Sequence, residues 1–329
     1  MTATTDPAAT SSHHADRILL PEVEMHIVRP TAPVAGRVVR SELCTTKKAA
    51  GFVRHVDIDI SGTPLAGKFR PGQSFGVIPP GVDASGRPHK VRLYSVASPT
   101  RGEEGGAPGT IISTTVKRTI DEHWETHKLF LGVASNYLCD AQVGDEIMIS
   151  GPNGKRFLLP VATEEHDYIF FATGTGIAPF RGMLIDLLES GCRSRIVLVM
   201  GAPYATDLLY HDFFLQKQAE HPNFHYITAI SRERQADGHD PLYVQDRLRT
   251  HHDLLAPILA SPRTLIYICG IAGMELGIFQ ELAAQLPEGT REHYLHVDPM
   301  AMADIKGWTR QMIHKQVKPT RRVFMEVYA

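Results

Sequence analysis

The sequence predicts a two-part protein: an antiparallel β-barrel or sandwich over residues 31–162, followed by a parallel α/β sheet with helices on both faces over residues 163–329. Three observations predict it. At 329 residues the chain is long for one core and right for two domains of ordinary size. From about 35 to 160, short strand-like runs are separated by Gly/Pro turns. After about 163, apolar runs alternate with helical stretches, the rhythm of strands crossed by helices.

Residues 1–30, beginning "MTATTDPAATSSHHADR", are rich in Thr, Ala and Ser and lack the apolar centre of a signal peptide. They read as a disordered leader. The runs "FVRHVDIDI", "QSFGVI", "VRLYSVAS", "TIISTTV" and "DEIMIS" then supply antiparallel strands, with "PTRGEEGGAPG" as a turn-rich loop between two of them. In the second half "YIFFAT", "RIVLVMGA", "FHYITAIS" and "LIYICG" are the buried strands, and "PFRGMLIDLLES" and "GMELGIFQELAAQL" are helices. Ligands of such sheets bind beyond the carboxyl ends of the strands, where the topology switches.

Composition narrows the function. With 43% hydrophobic and 21% charged residues, and no apolar run long enough to span a bilayer, membrane insertion is not expected. A formal charge of −2 excludes a strongly basic nucleic-acid binder. Within 31–160, however, 16 basic residues face 12 acidic ones, so an acidic partner would prefer the first half. Cys44, Cys139, Cys192 and Cys269 are scattered singly, with no spacing for zinc or an iron–sulfur cluster. The 17 histidines show no ligand spacing either, so no metal is expected and any redox centre must be an organic cofactor.

Two motifs carry chemistry. In "ATGTGIAPFR", residues 172–181, Gly174, Thr175 and Gly176 follow a strand and let the backbone approach a ligand, while Pro179 suits the first turn of the next helix. A phosphate can face that helix start. In "RLYSVAS", residues 92–98, Arg92 and Tyr94 share one side of a strand under period-two alternation. Arginine can grip a pyrophosphate and tyrosine can cover a flat heterocycle.

With these motifs on the page, the sequence resembles the plant-type ferredoxin–NADP reductase family. The resemblance runs through "RPGQSFGVIPPG", "RPHKVRLYSVAS", "GVASNYLCD", "GPNGKRFLLP", "ATGTGIAPFR", "SRERQADGHDPLYVQDR" and "YICGIAGMELGI", and leaves only the leader outside. It implies a barrel that binds noncovalent FAD and a second domain that binds NADP(H). It implies that Arg92 holds the FAD pyrophosphate, that Tyr94 stacks on the isoalloxazine beside Leu93, and that Ser95 lies near flavin N5. Gly132, Val133, Ala134 and Ser135 of "GVASN" would add phosphate contacts, Thr115 would lie near the adenine, and Lys117 near NADP. Thr175 and Gly176 would face the nucleotide pyrophosphate, and Thr175 also the flavin. Ser231, Arg232, Tyr243 and Gln245 match the set around the 2′-phosphate, although Pro241 stands where the family commonly has Lys or Arg. Gly270, Ile271 and Glu275 would line the nicotinamide side beside Cys269. Glu326 matches the carboxylate used in proton and electron transfer. Tyr328 matches the aromatic residue that covers the flavin, with Ala329 beyond it.

The function so implied is electron transfer between an acidic ferredoxin or flavodoxin and NADP(H). Its rivals are the reductase component of an oxygenase and a non-catalytic flavoprotein module. A cytoplasmic location is expected, or a plastid stroma were residues 1–30 a targeting segment.

Overall fold

The structure is a computed structural model that describes residues 18–103 and 107–328. The antiparallel half contains β1 (Val34–Leu43), β2 (Val53–Asp59), β3 (Ser74–Val77), β4 (Arg92–Ser95) and β5 (Ile111–Lys117). A small hairpin, β6 (Ile120–Glu122) and β7 (Leu129–Leu131), leads into α1 (Val133–Asp140), and β8 (Glu146–Asn153) completes the sheet. The six-stranded order is β4-β3-β8-β1-β2-β5. Its two end strands are brought together just past β4, where Ala97 N donates to Ser113 O at 2.7 Å. The sheet therefore curls into a barrel, and Val38, Val56, Ile58, Phe75, Val77, Ile112 and Ile149 fill it.

β2 breaks the alternation expected of a barrel strand, because Val53, His55, Val56, Asp57 and Ile58 are all buried. Val56 and Ile58 face the barrel interior, whereas Val53 packs into the core of the second domain. The outer face of this strand is thus an internal surface of the molecule, which is why polar His55 and Asp57 are buried on it.

The second half contains β9 (Asp167–Thr173), α2 (Ile177–Glu189), β10 (Ile196–Ala202), α3 (His211–Glu220), β11 (Phe224–Ile230), α4 (Arg247–Thr250), α5 (His252–Leu259), β12 (Thr264–Ile271) and α6 (Met274–Gln285). After it come β13 (Leu295–Val297), β14 (Val317–Pro319) and β15 (Val323–Tyr328). All four pairings in the sheet β11-β10-β9-β12-β15 are parallel. The chain builds outward from β9 to β11 and then returns to the other side of β9, so the switch point lies between β9 and β12. Apolar cores cover both faces, as near-continuous strand hydrophobicity requires.

Residues 18–30, expected as part of a disordered leader, lie along the barrel. Val28 pairs with Gly151, His26 N donates to Pro152 O at 2.8 Å, and Leu19 O accepts Val161 N at 2.9 Å. Backbone pairing with the β8 end, rather than composition, orders this stretch; residues 1–17 fall outside the described part. The loop "PTRGEEGGAPG" joins β4 to β5 as expected, but Glu103 within it is buried rather than solvated.

Candidate active site

One corner of the site lies where β4 meets α1. Arg92 and Leu93 are exposed, Leu93 by 59%, an unusual cost for a leucine on a regular strand. Tyr94 is half-buried against the barrel core, and burial holds its hydroxyl above the ordinary tyrosine range. Tyr94 packs on the cluster that holds Cys139 of α1, and Arg92 acts electrostatically on its hydroxyl, which brings Arg92, Tyr94 and α1 into one neighbourhood. Among the described residues the Arg92 guanidinium makes only long bonds, to Lys90 O at 3.4 Å and Val91 O at 3.3 Å in the segment just before β4.

α1 starts at Gly132 with no side-chain cap, so the first-turn N–H groups of Val133, Ala134 and Ser135 have no acceptor within the helix. The Ser135 hydroxyl is committed elsewhere: it accepts Thr119 N at 3.2 Å and donates to Gly132 O at 3.1 Å. It anchors the helix start; any ligand contact here belongs to the backbone N–H groups. A weakly engaged guanidinium and an uncapped helix start supply donors for a pyrophosphate, and the exposed apolar strand supplies a surface for a flat ring joined to it, an arrangement that FAD fits.

The other side of the site is the carboxyl edge of the parallel sheet. Thr175 Oγ1 and Tyr328 Oη meet at 2.8 Å, and Ala272 N donates to Tyr328 O at 2.8 Å. Ile271 N donates to Thr173 Oγ1 at 3.0 Å, so the ends of β9, β12 and β15 converge. Two glycines make this possible. A Cβ on Gly176 would lie 2.2 Å from Cys269 O, and one on Gly270, which has φ +148°, would lie 2.1 Å from Thr173 Oγ1. Ile271 is 62% exposed at this edge.

Cys269 and Glu326 are register partners on β12 and β15. Cys269 is 1% exposed, and burial, with Glu326 beside it, pushes its thiol well above the usual range. Burial also raises Glu326, to about 7. Glu326 lines a cleft of about 730 Å³ with Arg156, His314 and Arg321. Ser95 is half-buried at the end of β4.

The third part is the loop 231–243. Ser231 follows β11 directly, Arg232 lies 5.8 Å over the Tyr204 ring, and Tyr243 is 63% exposed. Gln245 lies over Gly277 of α6, where a Cβ would come within 2.8 Å of its Nε2. Sequence reasoning missed what holds the loop. Arg247, only 2% exposed, donates to Thr228 O at 2.8 Å, to Asp237 at 2.6 Å and to Gln235 at 3.1 Å. Against its burial, hydrogen bonds from His239 and Arg247 bring Asp237 down to about 2. A guanidine, an aromatic and an amide around one exposed loop suit a nucleotide phosphate.

Two expected positions, Thr115 and Glu275, differ in detail, and Lys117 does not. Thr115 is 4% exposed, and its hydroxyl meets Tyr210 Oη at 2.5 Å rather than opening to a ligand, because the outer face of β5 is covered by the second domain. Lys117 is exposed, at the rim near Gly51 and Asp207. Glu275 is 3% exposed with both oxygens engaged, one by Arg310 Nε and one by Gly273 N, each at 2.7 Å. It braces the loop before α6 instead of facing a ligand.

Residues 170–280 match the family model for the oxidoreductase NAD-binding domain. The chain is 38% identical over 269 residues to a ferredoxin–NADP reductase of Spirulina sp., covering 80% of this chain and 90% of that one. It is 37% identical over 293 residues to one from Thermosynechococcus vestitus, covering 86% and 74%. With a leaf-type chloroplastic isozyme of Nicotiana tabacum it shares 35% over 306 residues, covering 91% and 78%. Among solved structures, ferredoxin–NADP+ reductase from Plasmodium falciparum superposes with a TM-score of 0.67 at 21% identity, over 92% of this chain and 99% of that one. That protein with 2'P-AMP gives 0.66. The structural likeness shows the shared fold; at the sequence identities and coverage of the relatives, the chain belongs to the ferredoxin–NADP reductase family.

Proposed function

We infer that this chain transfers electrons between ferredoxin and NADP(H) through FAD. The observation that carries the reading is the convergence of Thr175, Tyr328, Cys269 and Glu326 at the switch point of a sheet whose family membership is shown. When bound, FAD supplies the conversion between hydride exchange with nicotinamide and one-electron exchange with a carrier. The Arg92 guanidinium and the first-turn N–H groups of α1 would hold its pyrophosphate. Tyr94 would cover one ring face, with Leu93 as apolar support and Ser95 beside the reacting edge.

On the nucleotide side, the Gly174–Gly176 turn would receive the NADP pyrophosphate, and Ser231, Arg232, Tyr243 and Gln245 its 2′-phosphate. Each charged bond there would contribute roughly 1.5 to 3 kcal/mol. Gly270 and Ile271 would line the nicotinamide end, and Tyr328 would occupy the nicotinamide place until nucleotide arrives. Glu326, half-protonated near neutrality, would hold and release a proton beside Cys269.

The carrier is an acidic ferredoxin, or a flavodoxin of similar charge, drawn by the basic excess over residues 31–160. Among the described residues no helix is long and apolar enough to cross a membrane; separately, we propose a cytoplasmic location, or the plastid stroma were residues 1–30 a targeting segment. The relatives favour this reading over an oxygenase reductase component or a non-catalytic flavoprotein.

The test is reduction of cytochrome c by NADPH with and without added ferredoxin, on protein purified with its flavin. Ferredoxin-dependent turnover with released FAD, not FMN, is expected. Absence of NADPH-driven flavin reduction would overturn the reading.

A further inference from the structure

The motif "ATGTGIAPFR" ends in Arg181, a charge inside a helix that buries every residue from Ile177 to Ile185. Its ring contacts, over Tyr210 at 5.4 Å and Phe213 at 5.7 Å, lie within its own domain, but its hydrogen-bond partners belong to the other. The guanidinium donates to Ala97 O at 3.1 Å and forks onto Glu103, at 2.5 Å to Oε1 and 3.0 Å to Oε2. Arg181 is 7% exposed and Glu103 8%. Ala97 lies two residues past Ser95 on the continuation of β4, while Arg181 lies in the helix that opens at the Gly174–Gly176 turn. One buried fork thus joins the flavin strand to the nucleotide loop.

The rest of α2 follows the same path. A Cβ on Gly182 would lie 2.6 Å from Ser98 O, so the helix rests on that backbone as closely as a glycine allows. One turn on, Asp186 accepts Thr100 N at 3.0 Å. A second set of ties comes from the segment before α3: Tyr210 Oη meets His55 Nδ1 at 2.8 Å, and Asp207 accepts Gly51 N at 2.9 Å.

Among the described residues, His55, Asp57 and Glu103 bring possible metal-ligand atoms within 4.8 Å of one another. Their two carboxylates already face two guanidinium groups, Glu103 that of Arg181 and Asp57 that of Arg40 at 3.8 Å. A cation entering there would meet a neutralised cluster and two positive charges. The cluster is built to join domains.

We propose that Arg181, held by Glu103, is a positioning residue for hydride transfer, and that α2 is the spacer that sets the nicotinamide end of the nucleotide loop against the flavin strand. The proposal rests on the function inferred above. A planar fork fixes orientation as well as distance, which a lysine at the same place does not. Misplacing reacting groups by about 1 Å can cost on the order of a hundredfold in rate. Arg181 touches neither reacting partner; its effect runs through the placement of both.

The experiment compares holoenzyme carrying Arg181→Lys or Glu103→Gln with the parent by stopped-flow flavin reduction at saturating NADPH. The affinity for 2'P-AMP and the amide hydrogen exchange of residues 97–100 are measured alongside. Expected are hydride transfer slowed about tenfold or more in Arg181→Lys, a smaller loss in Glu103→Gln, 2'P-AMP affinity within about twofold of the parent, and faster exchange over 97–100. Hydride-transfer rates within about twofold of the parent, in variants that bind 2'P-AMP normally, would overturn the proposal. If Arg181→Lys does not fold, Glu103→Gln decides by the same readouts. A parent enzyme that NADPH does not reduce would point instead to failure of the functional reading.

Discussion

At the scale of single residues, Glu326 and Tyr328 are two positions apart on β15 and carry different chemistry. Burial raises Glu326 to about 7, so the folded protein binds its proton more tightly than the unfolded chain. A carboxyl with a raised folded pKa costs no stability below its unfolded value, near 4.3, and an increasing amount as pH rises toward 7. Glu326→Gln should therefore match the parent at pH 4 and exceed it by the order of 1 to 3 kcal/mol above pH 7. Urea unfolding across that window measures it; a constant difference at all pH values would contradict the burial argument. Tyr328 is 42% exposed, and its hydroxyl reaches only a short distance, to Thr175. Tyr328→Ser should open the nicotinamide place, tighten nucleotide binding and raise activity with NADH relative to NADPH. Tyr328→Phe, which keeps the ring and loses the Thr175 bond, should lie close to the parent. Unchanged nucleotide preference in the serine variant would remove the covering role.

At the scale of elements, the segment "KQVKPTRR" carries no family pattern, yet it forms β14 and leads into β15. The chain before it supplies Arg310, which reaches Glu275 at the start of α6. Through the second oxygen of Glu275 this contact also holds Gly273 N, in the turn that follows Gly270 and Ile271. Arg310 is about half exposed, so the pair is worth less than a fully buried one. Arg310→Ala should lower stability by about 1 to 2 kcal/mol through the unpaired Glu275 and raise the KM for NADPH more than it lowers kcat. Arg310→Met with Glu275→Gln should recover most of the stability, because no buried charge is left alone. Thermal unfolding and steady-state kinetics on the three proteins read both effects; a single variant indistinguishable from the parent would show that the brace is idle.

At the scale of the whole molecule, the net charge of −2 conceals a basic first half, with Arg87 and Lys90 in the segment that leads into β4. Docking of an acidic carrier should therefore weaken steeply as salt rises toward and beyond physiological strength, where the screening length falls to about 8 Å. Ferricyanide reduction, which needs no protein docking, should change little. Equal salt dependence for both acceptors would remove electrostatic docking from the account.

Much of this was legible in the chain. Strand rhythm announced an antiparallel half and a parallel half, because periodicity and turn chemistry are local properties that each segment carries with it. "TGTGIAP" and "RLYS" were readable for the same reason: the close approach at Gly176 and the exposed Arg92 reflect residue types needed at one place. Choosing barrel over sandwich required the bond from Ala97 to Ser113, which no local pattern encodes. Thr115 and Glu275 looked available from their motifs, but the partners that engage them, Tyr210 and Arg310, lie 95 and 35 residues away. Arg181 shows the boundary most plainly. A lone charge among "IAPF" and "GMLI" signals a buried partner, yet Glu103 is 78 residues distant in a glycine-rich loop. The sequence determined the elements and the chemistry each one carries; only the tertiary structure decided which charges neutralise one another, because burial and pairing depend on surfaces that meet after the chain has folded.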